Sequence, residues 1–82
     1  MRRLVICDHH SHYDYARRKC EWNPKETVRV TRREQLEGIA GDDIEIVAYG
    51  PCETQNAHDL IRLAYERSRM RRFPTPRYLR SV

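Results

Sequence analysis

Arg3-Leu4-Val5-Ile6-Cys7, followed at once by Asp8-His9-His10-Ser11-His12, is the stretch that decides the fold. The first five residues form a continuous Leu/Val/Ile run with no polar alternation. A strand reads this way when it is covered on both faces, as in the middle of a parallel sheet. Asp8-His9-His10 breaks the run, and Ser11, with Asp14 three residues later, supplies the chemistry of a helix start. The spacing then places Tyr13, Ala16 and Cys20 on one side of a helix, with Arg17, Arg18 and Lys19 turned outward. Asn23-Pro24 ends that helix.

Two further strand–helix units follow. Glu26 to Thr31 alternates, with Val28 and Val30 on one face and Thr27, Arg29 and Thr31 on the other, the pattern of a half-exposed strand. Thr31-Arg32-Arg33-Glu34 has the form of a capping box, and Leu36 and Ile39 are the apolar contacts of a short helix that Gly38 and Gly41 close. Ile44 to Tyr49 is a third strand, ended by Gly50-Pro51. Asn56 or Thr54 caps the last helix, in which Ala57, Leu60, Ile61 and Ala64 recur at helical spacing. The helix is expected to run to about Arg72, because Pro74 and Pro76 forbid continuation.

Alternating units of this length predict an α/β fold of β-α-β-α-β-α order, with a parallel sheet and right-handed crossovers. Three strands in the order 2-1-3, with helices on both faces in a Rossmann-like arrangement, follow from the uniformly apolar first strand. One domain over residues 1–72 and an extended basic tail over 73–82 are the expected boundaries. Two open sheet edges in so small a unit also suggest pairing with a second copy.

Composition narrows the class. The chain has 82 residues, of which 39% are hydrophobic and 34% charged, enough for one compact core and too few for two. No apolar run approaches the roughly 20 residues of a membrane span, and the first residues lack the apolar stretch of a secretory leader. A soluble, cytoplasmic protein beginning at Met1 is the expectation. Cys7, Cys20 and Cys52 are odd in number and share no metal-ribbon spacing, which suits a reducing compartment.

Charge is unevenly divided. Residues 1–61 carry nine Lys/Arg against eleven Asp/Glu, a net of −2, whereas residues 62–82 carry seven Arg against one Glu, a net of +6. Arginine presents a planar fork that pairs with phosphate or carboxylate through two parallel hydrogen bonds. Arg62, Arg67, Arg69, Arg71 and Arg72 lie on the last helix, on sides away from the Leu60-Ile61-Ala64 stripe. Arg77, Tyr78 and Arg80 follow in the tail, so that basic residues interleave with aromatics. Such a segment fits phosphate pairing with base stacking, or docking on an acidic protein groove. No helix-turn-helix, zinc-finger or RNA-recognition signature accompanies it, so nucleic-acid binding would be electrostatic and steeply salt-dependent.

Ligands of open parallel sheets bind beyond the carboxyl ends of the strands, where the strand order reverses. Those ends are Asp8 to His12, Thr31-Arg32-Arg33 and Tyr49-Gly50-Pro51-Cys52. Asp8, His9, His10 and His12 are candidate ligands for a divalent metal, since neutral imidazole suits zinc, nickel or copper. The alternative is a polar loop whose Asp8 or Ser11 caps the next helix. Arg32 and Arg33 could hold an anion. No glycine follows the first strand, so neither dinucleotide nor P-loop phosphate binding is expected, and no G-x-S-x-G elbow is present. Cys52, just before a helix start, could have a lowered pKa, though it lacks a dedicated base.

Val5-Ile6-Cys7-Asp8-His9-His10 resembles one signature of the DHH phosphoesterases, in which a hydrophobic strand delivers Asp-His-His to a metal site. The resemblance implies that Asp8 with His9 or His10 holds or orients a metal that activates water. It covers about six residues, and of the chain's other aspartates, Asp14, Asp42, Asp43 and Asp59, all but Asp14 fall away from the expected edge.

More broadly, Leu4-Val5-Ile6, Tyr15-Ala16-Arg17-Arg18, Val30 to Gly38 and Ile44 to Gly50 are similar to the recurring pattern of small actinobacterial-phage (mycobacteriophage-like) proteins of unknown function. That resemblance spans about two-thirds of the chain, with the histidine loop and arginine tail as departures. It implies a Rossmann-like fold and an accessory role for a phage, and no activity. The leading expectation is therefore a non-enzymatic protein that engages a host or phage macromolecule, acidic protein or nucleic acid, through its arginine-rich end. A metal-dependent phosphoesterase-like enzyme at the Asp-His-His loop, and a structural subunit assembling through a sheet edge, are the alternatives.

Overall fold

β1 (Arg2–Ile6) occupies an interior place in a four-stranded, all-parallel sheet of order β2-β1-β3-β4, as seen in a computed structural model. Residues 2–36, 44–70 and 76–79 are described. β1 pairs with β2 (Thr27–Arg29) through Leu4 opposite Val28, and with β3 (Ile44–Tyr49) through Leu4 opposite Ile46. The ladder runs on past β2, because the Val30 amide donates to the Val5 carbonyl at 2.8 Å.

The uniform apolar character of β1 has a direct cause in the layers around it. Leu4 and Ile6 face one side, where they meet Ile46 and Ala48 of β3, Val30, Leu36, and the Ala57, Leu60 and Ala64 stripe of α2 (Gln55–Met70). Val5 faces the other side, with Val47, Tyr49, Ala16 of α1 (His10–Lys19), Trp22 and Tyr13. Leu4, Val5 and Ile6 are each at most 1% exposed, so no position in the run could carry a polar group cheaply. The 2-1-3 order read from the sequence is therefore present, with helices on both faces.

Three local features differ from the sequence reading. α1 begins two residues earlier than Ser11 implies: His9 is the N-cap, its side chain makes no capping bond, and Ser11 is exposed. The expected capping box is displaced by one residue. Gln35, not Glu34, reaches back, its Oε1 accepting from the amides of Thr31 at 2.7 Å and Arg32 at 3.0 Å. These bonds close a single 3-10 turn (Arg33–Gln35) that buries Leu36; Gly38, Ile39 and Gly41 lie outside the described residues.

The largest difference is β4 (Arg77–Leu79), in which Arg77 pairs with Val47 and Tyr78 with Ala48. Sequence alone assigned these residues to a tail and three strands to the sheet. A three-residue edge strand just after a proline has too few apolar positions to show a period. What holds it is long-range: the Tyr78 hydroxyl donates to the carbonyls of Gly50 at 3.1 Å and Pro51 at 3.2 Å, and Arg77 Nη2 lies 3.6 Å from Glu45 Oε2. Because Tyr78 is half exposed, a Tyr78→Phe substitution should cost only about 1 kcal/mol. Urea denaturation would register it as a lower midpoint with an unchanged slope; a changed slope would mean that β4 has left the sheet.

Candidate functional site

The order β2-β1-β3-β4 reverses between β1 and β3: the chain leaves β1 toward β2 and leaves β3 toward β4. A ligand crevice belongs above that point. Here the crevice holds the protein's own carboxylate. Asp8 Oδ1 accepts from the Thr54 amide and hydroxyl, both at 2.9 Å, and Oδ2 accepts from the Glu53 amide at 2.9 Å. Thr54 in turn caps α2, its Oγ1 accepting from the Ala57 amide at 3.2 Å. Asp8 thus ties the end of the central strand to the start of the longest helix. Burial by itself raises the Asp8 pKa, but the Thr54 and Glu53 donors, with nearby His9, more than offset it and leave the carboxyl below its ordinary value.

The residues after β3 close the crevice from the other side. Gly50 has φ +85°, a left-handed conformation that glycine adopts without strain, and a side chain there would meet His12 Nδ1 at 3.6 Å. Cys52, at φ +51°, places its thiol 3.4 Å from the Tyr49 carbonyl and 3.7 Å from that of Ile6. Burial pushes the Cys52 thiol up despite the Tyr78 hydroxyl beside it, so the lowered pKa that a helix start could give is not found. Cys7 is raised for the same reason, although its Arg29 neighbour acts in the opposite direction.

The candidate metal ligands do not come together as one set. Asp8 turns to the α2 start, His9 and His10 are exposed, and His10 Nε2 sits 3.3 Å from Asp14 Oδ2 within α1. His9 and His12 meet edge-on with ring centroids 5.1 Å apart. His12 Nδ1 is buried without a hydrogen-bond partner, and among the described residues no three His, Cys, Asp or Glu side chains form a group that could hold a metal. Of the two weighed roles for the loop, capping by Asp8 is what the geometry contains, though Asp8 serves the helix after β3 rather than the one after β1.

The arginines divide into several environments. Arg33 of the 3-10 turn and Arg62 of α2 flank a groove of about 330 Å³, with Asn56, Asp59, Leu60, Leu63 and Glu66 completing it. Arg32 and Arg69 are exposed. Arg67 is half-buried, because it continues the Ala57-Leu60-Ala64 stripe three residues on, and its Nε is buried with no hydrogen-bond partner. Its expected position away from that stripe is corrected accordingly. Arg77 and Tyr78 stand in β4; Arg71, Arg72 and Arg80 lie outside the described residues.

Sequence reasoning missed Arg29 and Glu45. Arg29 Nη2 donates to the Asp8 carbonyl at 3.2 Å, bracing the loop that Asp8 anchors. Glu45 accepts from Arg3 Nε at 2.8 Å while also facing Arg77, and the Arg3 guanidinium lies 4.9 Å from the Trp22 ring centroid. Neither has a local signal, since each partner is at least 20 residues away in the chain. No helix among the described residues is long and apolar enough to cross a membrane. Neither a family model, nor a curated protein, nor a solved structure matches the chain.

Proposed function

We propose that this protein is a non-enzymatic binding module that engages an anionic macromolecule, an acidic protein surface or a nucleic acid, through its arginine-rich C-terminal end. The observation that carries the reading is the net +6 over residues 62–82 on a body of net −2. Two features of the fold support it. The crevice in which a small ligand would bind is filled by Asp8, Cys52 and His12. The outer side of α2 presents Arg62 and Arg69 to solvent, together with Tyr65.

Truncation is a poor test, because removing the last residues also removes β4. Point substitution is cleaner. An Arg62→Ala/Arg69→Ala double variant should fold normally, since both positions are exposed, and should bind its target about ten-fold or more weakly at low salt, with the difference shrinking as salt rises. Pull-down with poly-glutamate and with oligonucleotides would measure it. Equal capture of native and variant chains would overturn the reading.

A further inference from the structure

Both helices run antiparallel to the strands, so both deliver their last turns to the same, amino-terminal edge of the sheet. For α1 the contacts make this explicit: the Trp22 amide donates to the Arg17 carbonyl at 3.0 Å, and Trp22 lies under Arg3 at the start of β1. α2 starts beside Asp8 at the carboxyl edge and is 16 residues long, about 24 Å at 1.5 Å per residue, so its last turn reaches the opposite edge. The last turns carry Arg17, Arg18 and Lys19 on α1 and Arg67 and Arg69 on α2. Arg2 and Arg3 of β1 stand between them. Glu21, Glu26 and Glu45 share this edge, but Glu45 is taken up by Arg3 and Arg77, and among the described residues the outward cations outnumber the acids.

We infer that this edge is a binding surface for single-stranded nucleic acid, with Arg17, Arg18 and Lys19 of α1 continuing the cationic surface of α2 across the sheet. The inference rests on the binding reading above and gives it a partner class and a second half. Layers of a sheet and its helices stack about 10 Å apart, so the two helix ends are separated by about 20 Å. A strand carrying a phosphate at every nucleotide can span that distance with charge throughout. An exposed aromatic ring sits among the cations, as base stacking requires: Tyr15 is 48% exposed, with Lys19 Nζ 5.8 Å from its ring.

Fluorescence anisotropy with labelled oligo(dT) and oligo(U) 20-mers over a salt series is the test. The native chain should bind both, and an Arg17→Ala/Arg18→Ala/Lys19→Ala variant should bind at least ten-fold more weakly, with a salt slope shallower by about 2. An Arg17→Lys/Arg18→Lys variant keeps the charge and should retain most of the affinity; if it falls as far as the alanine variant, the loss is one of structure and the inference fails. No binding of either oligonucleotide at 50 mM salt also overturns it. If the α1 variant binds like the native chain while Arg62→Ala/Arg69→Ala weakens binding, the inference falls and the proposed function stands. If neither matters, both fall.

Discussion

An Asp8→Ala chain should melt roughly 10 °C below the native protein, the consequence of about 2 kcal/mol in a domain of this size. The substitution leaves two backbone amides and a hydroxyl at the α2 start without their anionic acceptor. Hydrogen bonds to a charged group contribute about 1.5–3 kcal/mol each when buried. Glu53 is exposed, so water takes over part of that role and the total stays nearer 2 kcal/mol. Asp8→Asn keeps one acceptor oxygen and should fall between the two.

Acid adds a second signature. The folded Asp8 pKa is lowered, so the unfolded chain binds the proton more readily, and Asp8 stabilises the fold fully above its unfolded value of about 3.9. That contribution fades as pH falls through the lower, folded value. The gap in melting temperature between native and Asp8→Ala chains should therefore be widest near neutrality and narrow below about pH 4. Thermal scans from pH 7 down to 2.5 would measure it. A gap that is independent of pH would mean that Asp8 acts by packing and not through its charge.

Ile6→Ala should be costlier still, by about 3–4 kcal/mol. Ile6 is fully buried, pairs with Ala48 across the ladder, and belongs to the cluster that joins β1 and β3 to α2. A domain of 82 residues has a total stability of order 4–12 kcal/mol, so this one cavity removes a large share of it. Val28→Ala is the matched control. Val28 is only half-buried, on β2 at the edge of the sheet, and should lose about 1 kcal/mol. Urea midpoints for the pair separate an interior β1 from a peripheral one. Equal losses would contradict the strand order.

Much of the architecture was legible because its causes are local. A run such as Leu4-Val5-Ile6 is apolar throughout only if both faces are covered, and three strand segments alternating with helical periods leave few topologies open. The α2 stripe declared itself in the same way through Ala57, Leu60 and Ala64. The candidate site was legible as a place but not as chemistry. The chain order locates Asp8, His9, His12 and Gly50 at one edge of the sheet, yet whether Asp8 reaches a metal, its own helix or the next one depends on where Glu53 and Thr54 stand, 45 and 46 residues later. The capping box slipped by one residue for a similar reason: Glu34 and Gln35 are equally placed by sequence, and Gln35 alone also donates to the Arg29 carbonyl, at 3.4 Å.

Hydrophobic period and helix punctuation, which act over a few residues, sufficed for the class of fold, the parallel sheet, the 2-1-3 order and the segregation of charge along the chain. Tertiary structure alone added β4, turned Asp8 into the tie between β1 and α2, drew Arg67 into the edge of the core, and brought the last turns of α1 and α2 to the same edge of the sheet. Each of these depends on groups far apart in the chain, whose meeting is fixed by the register of the strands and the length of the helices, and no nearest-neighbour pattern records it.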